Sequence, residues 1–390
     1  VGADAGAGGT TSAPYSSGVY NTAVGYNALT GFTTGYNNVA IGFQAAYRLS
    51  TGNYNIAIGD NTLAASGVSG GFNIIMGYSA GAAITSGDYN IAIGRESLVH
   101  TSTADHNLAI GHNALQYTGQ KISTTTDTIG IGREAGQYSA AAYNIWMGSF
   151  AGKGSSANAH SPGTSNIGIG YQSSVSFISG SYNVAVGGNT LYNNQHGEYN
   201  VAIGQGAGDH ATGSYNTFVG GLAGTGGTTS APYSSGTSNV AVGYEALKAF
   251  TTATRMVAIG YEAMTDVTTG ADSIAIGYQA AYYDVGINSV SIGSHAGMAN
   301  GGGYNVNIGF RAGSTTTGNS NVTIGNDAMR FLNAGNENVA IGASAGSYLL
   351  GTQTTIVGSQ AGRFASGSYN TFMGYKAGYG GTTSAPYSSG

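Results

Sequence analysis

The side chains here that could do chemistry are seven histidines and sixteen acids, in a chain of 390 residues with no cysteine. His100, His106 and His112 lie within about one repeat of the sequence, close enough in number to suggest a metal site. They sit in different columns of that repeat, however: His112 follows a repeated glycine, and His106 replaces a recurrent Tyr. Solvated or stacked histidines are the stronger reading. Glu245 and Glu262 occupy equivalent columns of adjacent repeats. A glycosidase needs two carboxylates facing one bond at about 5–9.5 Å, which stacked repeats can supply. An exposed row with Lys248 nearby is the stronger reading, and repetition of one unit argues against a single active site. Asp60, Glu96, Asp105, Glu134 and Asp266 are scattered. No P-loop, nucleophile elbow or calcium-binding loop occurs. The absence of cysteine removes disulfides, thiolate metal sites and cysteine nucleophiles. The expectation is therefore a protein that is not an enzyme, with no catalytic residues, metal or cofactor.

Composition points to architecture instead. Glycine accounts for 69 residues and charged residues for only 7%, against a usual charged share of about 25%. Four prolines exclude collagen, and 41% apolar content excludes a flexible Gly/Ser linker. A net charge of −5 without a basic patch argues against nucleic acid as a partner. No apolar run is long enough to span a membrane as a helix. The chain opens at Val1 in mid-phrase, so a segment upstream is expected.

The elements that must position any functional side chain come from one phrase, Asn-Val-Ala-Ile-Gly, found at 38–42, 200–204 and 338–342. Variants end at glycines from Gly25 to Gly374, mostly 16 to 18 residues apart. Such a period marks a solenoid. Residues one and three before the glycine are apolar or Thr and share one face of a strand, because strand side chains alternate. The glycine permits a sharp turn. Three residues after it, only Ala, Ser or Thr occurs.

Four before the glycine, Asn appears in sixteen of twenty-one copies, among them Asn21, Asn38, Asn55, Asn90, Asn144, Asn183, Asn200, Asn305, Asn338 and Asn370. Stacking at about 4.8 Å lets each amide bond the next, giving an Asn ladder. Asn321, in the same column, starts the sequon Asn321-Val322-Thr323 and is expected to be buried and unmodified. The preceding Tyr, as at Tyr54 and Tyr89, suggests an aromatic stack.

The middle strand residue is usually Ala but enlarges to Ile75, Trp146, Phe218, Ile356 and Phe372. In those five repeats the residue four after the glycine shrinks to Gly81, Gly152, Gly224, Gly362 and Gly378. Where the middle is Ala, that later position often holds Leu or Met, as at Leu29, Leu63 and Met264. Volume is conserved, as close packing requires. Taking the Val/Ile pair as the core face, the middle residue points to a second buried surface. Ile75, Trp146, Phe218, Ile356 and Phe372 are thus the expected interface with another copy of the chain.

The four long spacings place loops at 3–18, 116–127, 153–165 and 225–238. The loop phrase of Gly9–Gly18 recurs at Gly227–Gly236 and Gly381–Gly390. Residues 1–390 read as a single continuous array, a window on a longer fibre.

The phrase Tyr-Asn-Val-Ala-Ile-Gly, followed by a small residue and Thr-Thr-Gly, resembles the head repeat of trimeric autotransporter adhesins. It also resembles the shaft repeat of phage tail fibres and related bacterial surface proteins. The turn Gly25 to Gly42, with Tyr26-Asn27-Ala28-Leu29 and Thr33-Thr34-Gly35, is especially close to this second group. The likeness covers nearly the whole chain. It implies a trimeric parallel β-roll, although the adhesin head repeat is nearer fourteen residues. The expected fold is all-β, a parallel β-solenoid or β-roll of about 21 turns of roughly 17 residues, forming a homotrimeric fibre roughly 100 Å long. The expected function is an extracellular structural fibre or adhesin shaft on a cell surface, self-associating, with a surface glycan or host receptor as a candidate partner. The alternatives are a phage tail-fibre shaft on the virion and, third, a polysaccharide-degrading solenoid enzyme.

Overall fold

A computed structural model describes residues 1–10, 15–117, 126–155, 161–227, 233–283, 287–299, 301–331 and 335–380. Parts of all four long loops, and the phrase at 381–390, lie outside the described residues.

The fold is an all-β parallel β-solenoid. Each repeat contributes one strand of three residues, and the chain forms two compact units, Val1–Tyr199 and Asn200–Gly390. The first holds β1 (Thr22–Val24), β2 (Val39–Ile41), β3 (Ile56–Ile58), β4 (Ile74–Met76), β5 (Ile91–Ile93), β6 (Leu108–Ile110), β7 (Ile129–Ile131), β8 (Ile145–Met147), β9 (Ile167–Ile169) and β10 (Val184–Val186). The second holds β11 (Val201–Ile203), β12 (Thr217–Val219), β13 (Val240–Val242), β14 (Val257–Ile259), β15 (Ile274–Ile276), β16 (Val290–Ile292), β17 (Val306–Ile308), β18 (Val322–Ile324), β19 (Val339–Ile341), β20 (Thr355–Val357) and β21 (Thr371–Met373).

Within each unit successive strands pair in parallel without slippage, for example Val39 with Ile56 and Ile41 with Ile58. The ladder continues past the strand. In the coil of β2, Val39 N–H and Ala46 N–H donate to Asn55 O and Thr62 O of the next coil, at 2.8 and 2.9 Å. Gly42 N–H and Gln44 N–H donate to Val24 O and Tyr26 O of the preceding one, both at 2.8 Å. Donation alternates in direction around the coil, so turns join the pairing that a three-residue strand alone could not sustain.

Tight left-handed bends close the coil. The phrase glycine has φ near +130°, as at Gly42 (136°), a region that essentially only glycine enters. A Cβ on Gly42 would also lie 2.6 Å from the carbonyl carbon of Gly59 in the next coil. Further bends fall on residues with side chains. Asn27, Leu29 and Asn37 have φ of 53°, 51° and 55°, and the pattern recurs coil after coil.

These bends leave a narrow interior and decide which side of the strand faces it. In every strand except β1 and β21 the central residue is buried, while the flanking Val, Ile, Leu, Met or Thr residues are half-buried or exposed. Ala40, Ala57 and Ala92 are wholly buried, beside Leu29, Leu63 and Leu98. In these coils the interior takes one alanine and one leucine. The small residue after the turn is buried too, and its hydroxyl bonds back: Thr62 Oγ1 donates to Gly59 O at 3.0 Å and Ser97 Oγ to Gly94 O at 3.0 Å.

The expectation for the strand faces is corrected accordingly. Ile75, Trp146, Phe218 and Ile356 are 0% exposed inside their own coils, and Phe372 packs partly buried against the core around Ile356. Ile75, Trp146, Phe218 and Ile356 therefore cannot meet another chain, and the half-buried Phe372 faces the same interior. Volume compensation operates inside the coil: a Cβ on Gly152 would overlap the Trp146 ring, and one on Gly224 the Phe218 ring.

Where the described parts of the long loops return, they rejoin the stack. Ser161 bridges Ser139, and Ser234 bridges Ala211. Ser161 Oγ is anchored on Phe177 O at 2.8 Å.

Candidate self-association face

With the central residue turned inward, the outward face of the strand ladder carries the residues one and three before each phrase glycine. From Thr22 to Met373 these are all Val, Ile, Leu, Met or Thr, without one charge. Ile41 and Ile93 in the first unit are each 38% exposed, and Ile203 in the second is 43% exposed. Exact register stacks them into two continuous apolar rows in each unit. Full burial of such a side chain is worth about 1.5–3 kcal/mol, so covering the remaining surface yields roughly 0.5–1 kcal/mol per residue. Such contiguous exposed apolar surface makes this face the candidate interaction site.

The Asn column stands beside these rows. Asn38 Nδ2 donates to Asn21 Oδ1 at 3.1 Å and to Gly52 O at 2.9 Å. Asn38 Oδ1 accepts from the backbone and amide of Asn55. Asn55, Asn73, Asn90 and Asn107 continue the chain of bonds. Asn144, Asn166 and Asn183 form a second run. In the second unit Asn200 Oδ1 accepts from Asn216 N–H, and Asn305, Asn321 and Asn338 repeat the pattern. Thr128 and Thr354 interrupt it, each donating its backbone N–H to the preceding Asn. Asn21 and Asn370 are half-buried rather than buried; Asn21 Nδ2 reaches Gly35 O at 2.8 Å.

Aromatics form further columns. Tyr54, Phe72, Tyr89 and His106 stack at centroid distances of 4.9, 5.0 and 5.1 Å. A second column directly follows the phrase glycine, as in Tyr244–Tyr261–Tyr278. A third lies six residues after it: His100–Tyr117–Tyr138 in one unit and Phe331–Tyr348–Phe364 in the other. Sequence reasoning missed these two columns, though counting aromatics from the phrase glycine would have found both.

The histidine trio is not brought together. His106 stacks on Tyr89, His100 on Tyr117 at 4.7 Å, and His112 lies in the column after the glycine. Burial lowers the pKa of His100, partly countered by the Glu96 charge. Glu245 and Glu262 each have their own partner. Lys248 Nζ lies 2.9 Å from Glu245, and Gln279 Nε2 donates to Glu262 at 2.6 Å. Hydrogen bonds to these carboxylates raise the phenol pKa values of the exposed Tyr244 and Tyr261. Among the described residues no helix is long and apolar enough to cross a membrane. No protein-family model matches the chain, and no curated protein matches it.

Proposed function

We propose that the protein is an extracellular structural fibre, an adhesin shaft or surface filament, whose chains associate as trimers through the outward Val/Ile rows. The uncharged outward face of the ladder carries this reading. Contiguous exposed apolar surface favours association with a partner, and here the rows run the length of each unit without a charge. A second copy supplies a matching surface, since identical repeats have identical rise. The count of three rests on the resemblance to trimeric adhesin heads. The same face would serve a tail-fibre shaft.

The cysteine-free sequence provides a clean test. Ile93→Cys, treated with a short tris-maleimide, is expected to give cross-linked dimers and trimers. Monomers alone would refute association through this face. The extracellular role is tested by labelling intact producing cells with a membrane-impermeant reagent: labelled protein is expected, and protein labelled only after lysis contradicts it.

A further inference from the structure

The second unit contains a cavity of about 340 Å³ away from the strand rows, lined at its two ends by His210 and Tyr282. Six residues after the phrase glycine, some coils carry stacked rings, such as Tyr348 and Phe364, and others carry small residues, such as Ala65 and Ala83. Here the same column reads His210, Gly226, Ala249, Asp266. Small side chains at Gly226 and Ala249 leave a trough between His210 and Tyr282. The backbone holds its spacing: Gly226 N–H donates to Lys248 O, Ala249 N–H to Thr265 O and Asp266 N–H to Tyr282 O, at 2.9 to 3.0 Å.

We propose that this trough binds a neutral glycan, with one or two sugar rings between His210 and Tyr282. Its volume lies at the small end of ligand sites. Its chemistry suits vicinal hydroxyls. The carboxylates of Glu245 and Asp266 only accept hydrogen bonds, and both line the trough. Lys248 Nζ, already 2.9 Å from Glu245, donates beside them. Burial, then the charges of Asp266, Glu262 and Glu245, raises the Tyr282 pKa and keeps its phenol protonated as a donor. His210 closes one end of the trough, with its Nδ1 3.9 Å from the Asp209 carboxylate. The body of Tyr282 offers an apolar surface to the C–H face of a sugar. Two carboxylates against one lysine disfavour sialic and uronic acids.

The site is independent of chain association, and its test is separate from that of the fibre. The probes are tetrasaccharides of glucose, galactose and N-acetylglucosamine, with tetragalacturonate and a sialylated trisaccharide as anionic controls. Saturation-transfer NMR on the full chain is expected to show saturable binding of at least one neutral probe and none of the anionic ones. Asp266→Asn, an isosteric change, and Tyr282→Ala should each weaken that binding at least tenfold. Tyr171→Ala, an exposed tyrosine elsewhere, should leave it unchanged. Circular dichroism confirms that each variant is folded. The proposal is overturned if no neutral probe binds, if the anionic probes bind as well, or if the folded Asp266→Asn and Tyr282→Ala proteins bind like the parent.

Discussion

Trp146 and Gly152 share one volume inside a single coil: the indole is wholly buried, and any Cβ on Gly152 would overlap its ring. Other coils solve the same packing with Ala and Leu, as in Ala57 and Leu63. Gly152 has φ of 53°, and Leu63 holds the equivalent place at 47°, so the backbone accepts leucine.

The pair should therefore be coupled. Trp146→Ala is expected to cost about 3–5 kcal/mol through the void it leaves. Gly152→Leu alone should cost at least about 2 kcal/mol by overpacking. The double variant restores the common Ala/Leu arrangement and should be more stable than Trp146→Ala alone. Gly136 and Gly168 also border the indole, so recovery will be incomplete. Urea unfolding of the four proteins measures the cycle; additive costs would contradict the shared volume.

The Asn ladder predicts a large effect from a small change. Asn55 Nδ2 donates to Asn38 Oδ1 and Gly70 O, and its Oδ1 accepts two bonds from Asn73. Asn55→Ala leaves buried partners unsatisfied and should cost roughly 2–4 kcal/mol. Asn53→Ala, two residues earlier on the surface, should cost under about 1 kcal/mol. Thermal unfolding compares them.

Asn321 is 0% exposed, with Nδ2 donating to Asn305 Oδ1 at 3.2 Å and Gly335 O at 2.9 Å. Secretion from a glycosylating eukaryotic host should leave the folded protein without sugar at its sequon. Peptide mass spectrometry reads this directly; full occupancy at Asn321 in folded protein would contradict the buried ladder.

His100 gives a pH signature. Burial lowers its pKa in the folded chain below the ordinary value, so the unfolded chain binds the proton more readily. Stability should be undiminished above about pH 6.5 and fall as pH drops through that value, the loss becoming complete below the folded pKa. His100→Phe, which keeps a ring against Tyr117, should flatten this part of the profile. An unchanged slope between pH 7 and 5 would remove His100 as its source.

Much of the architecture was legible in the sequence. The spacing of the phrase glycines gave the coil, and Val-Ala-Ile gave a three-residue strand with two unlike faces. Which face turns inward was not legible. Hydrophobicity alone favours burying Val39 and Ile41 over Ala40, yet Ala40 is the buried one. The deciding factor is the width of the coil, set by left-handed bends at residues such as Leu29 and Asn37. Bulky residues rarely adopt that conformation, so nothing in their identity announces it. The compensation between Trp146 and Gly152 was visible as a pattern, but a pattern of sizes does not say whether two residues meet within a chain or between chains.

Sedimentation equilibrium of the full chain, beside the Ile93→Glu/Ile276→Glu double variant, tests the outward rows most directly. Both substitutions fall on half-exposed positions, in separate units, so the coils should keep their circular dichroism. The account predicts three times the chain mass for the parent and a shift toward single-chain mass for the variant. A monomeric parent, or a variant with unchanged mass, would contradict it.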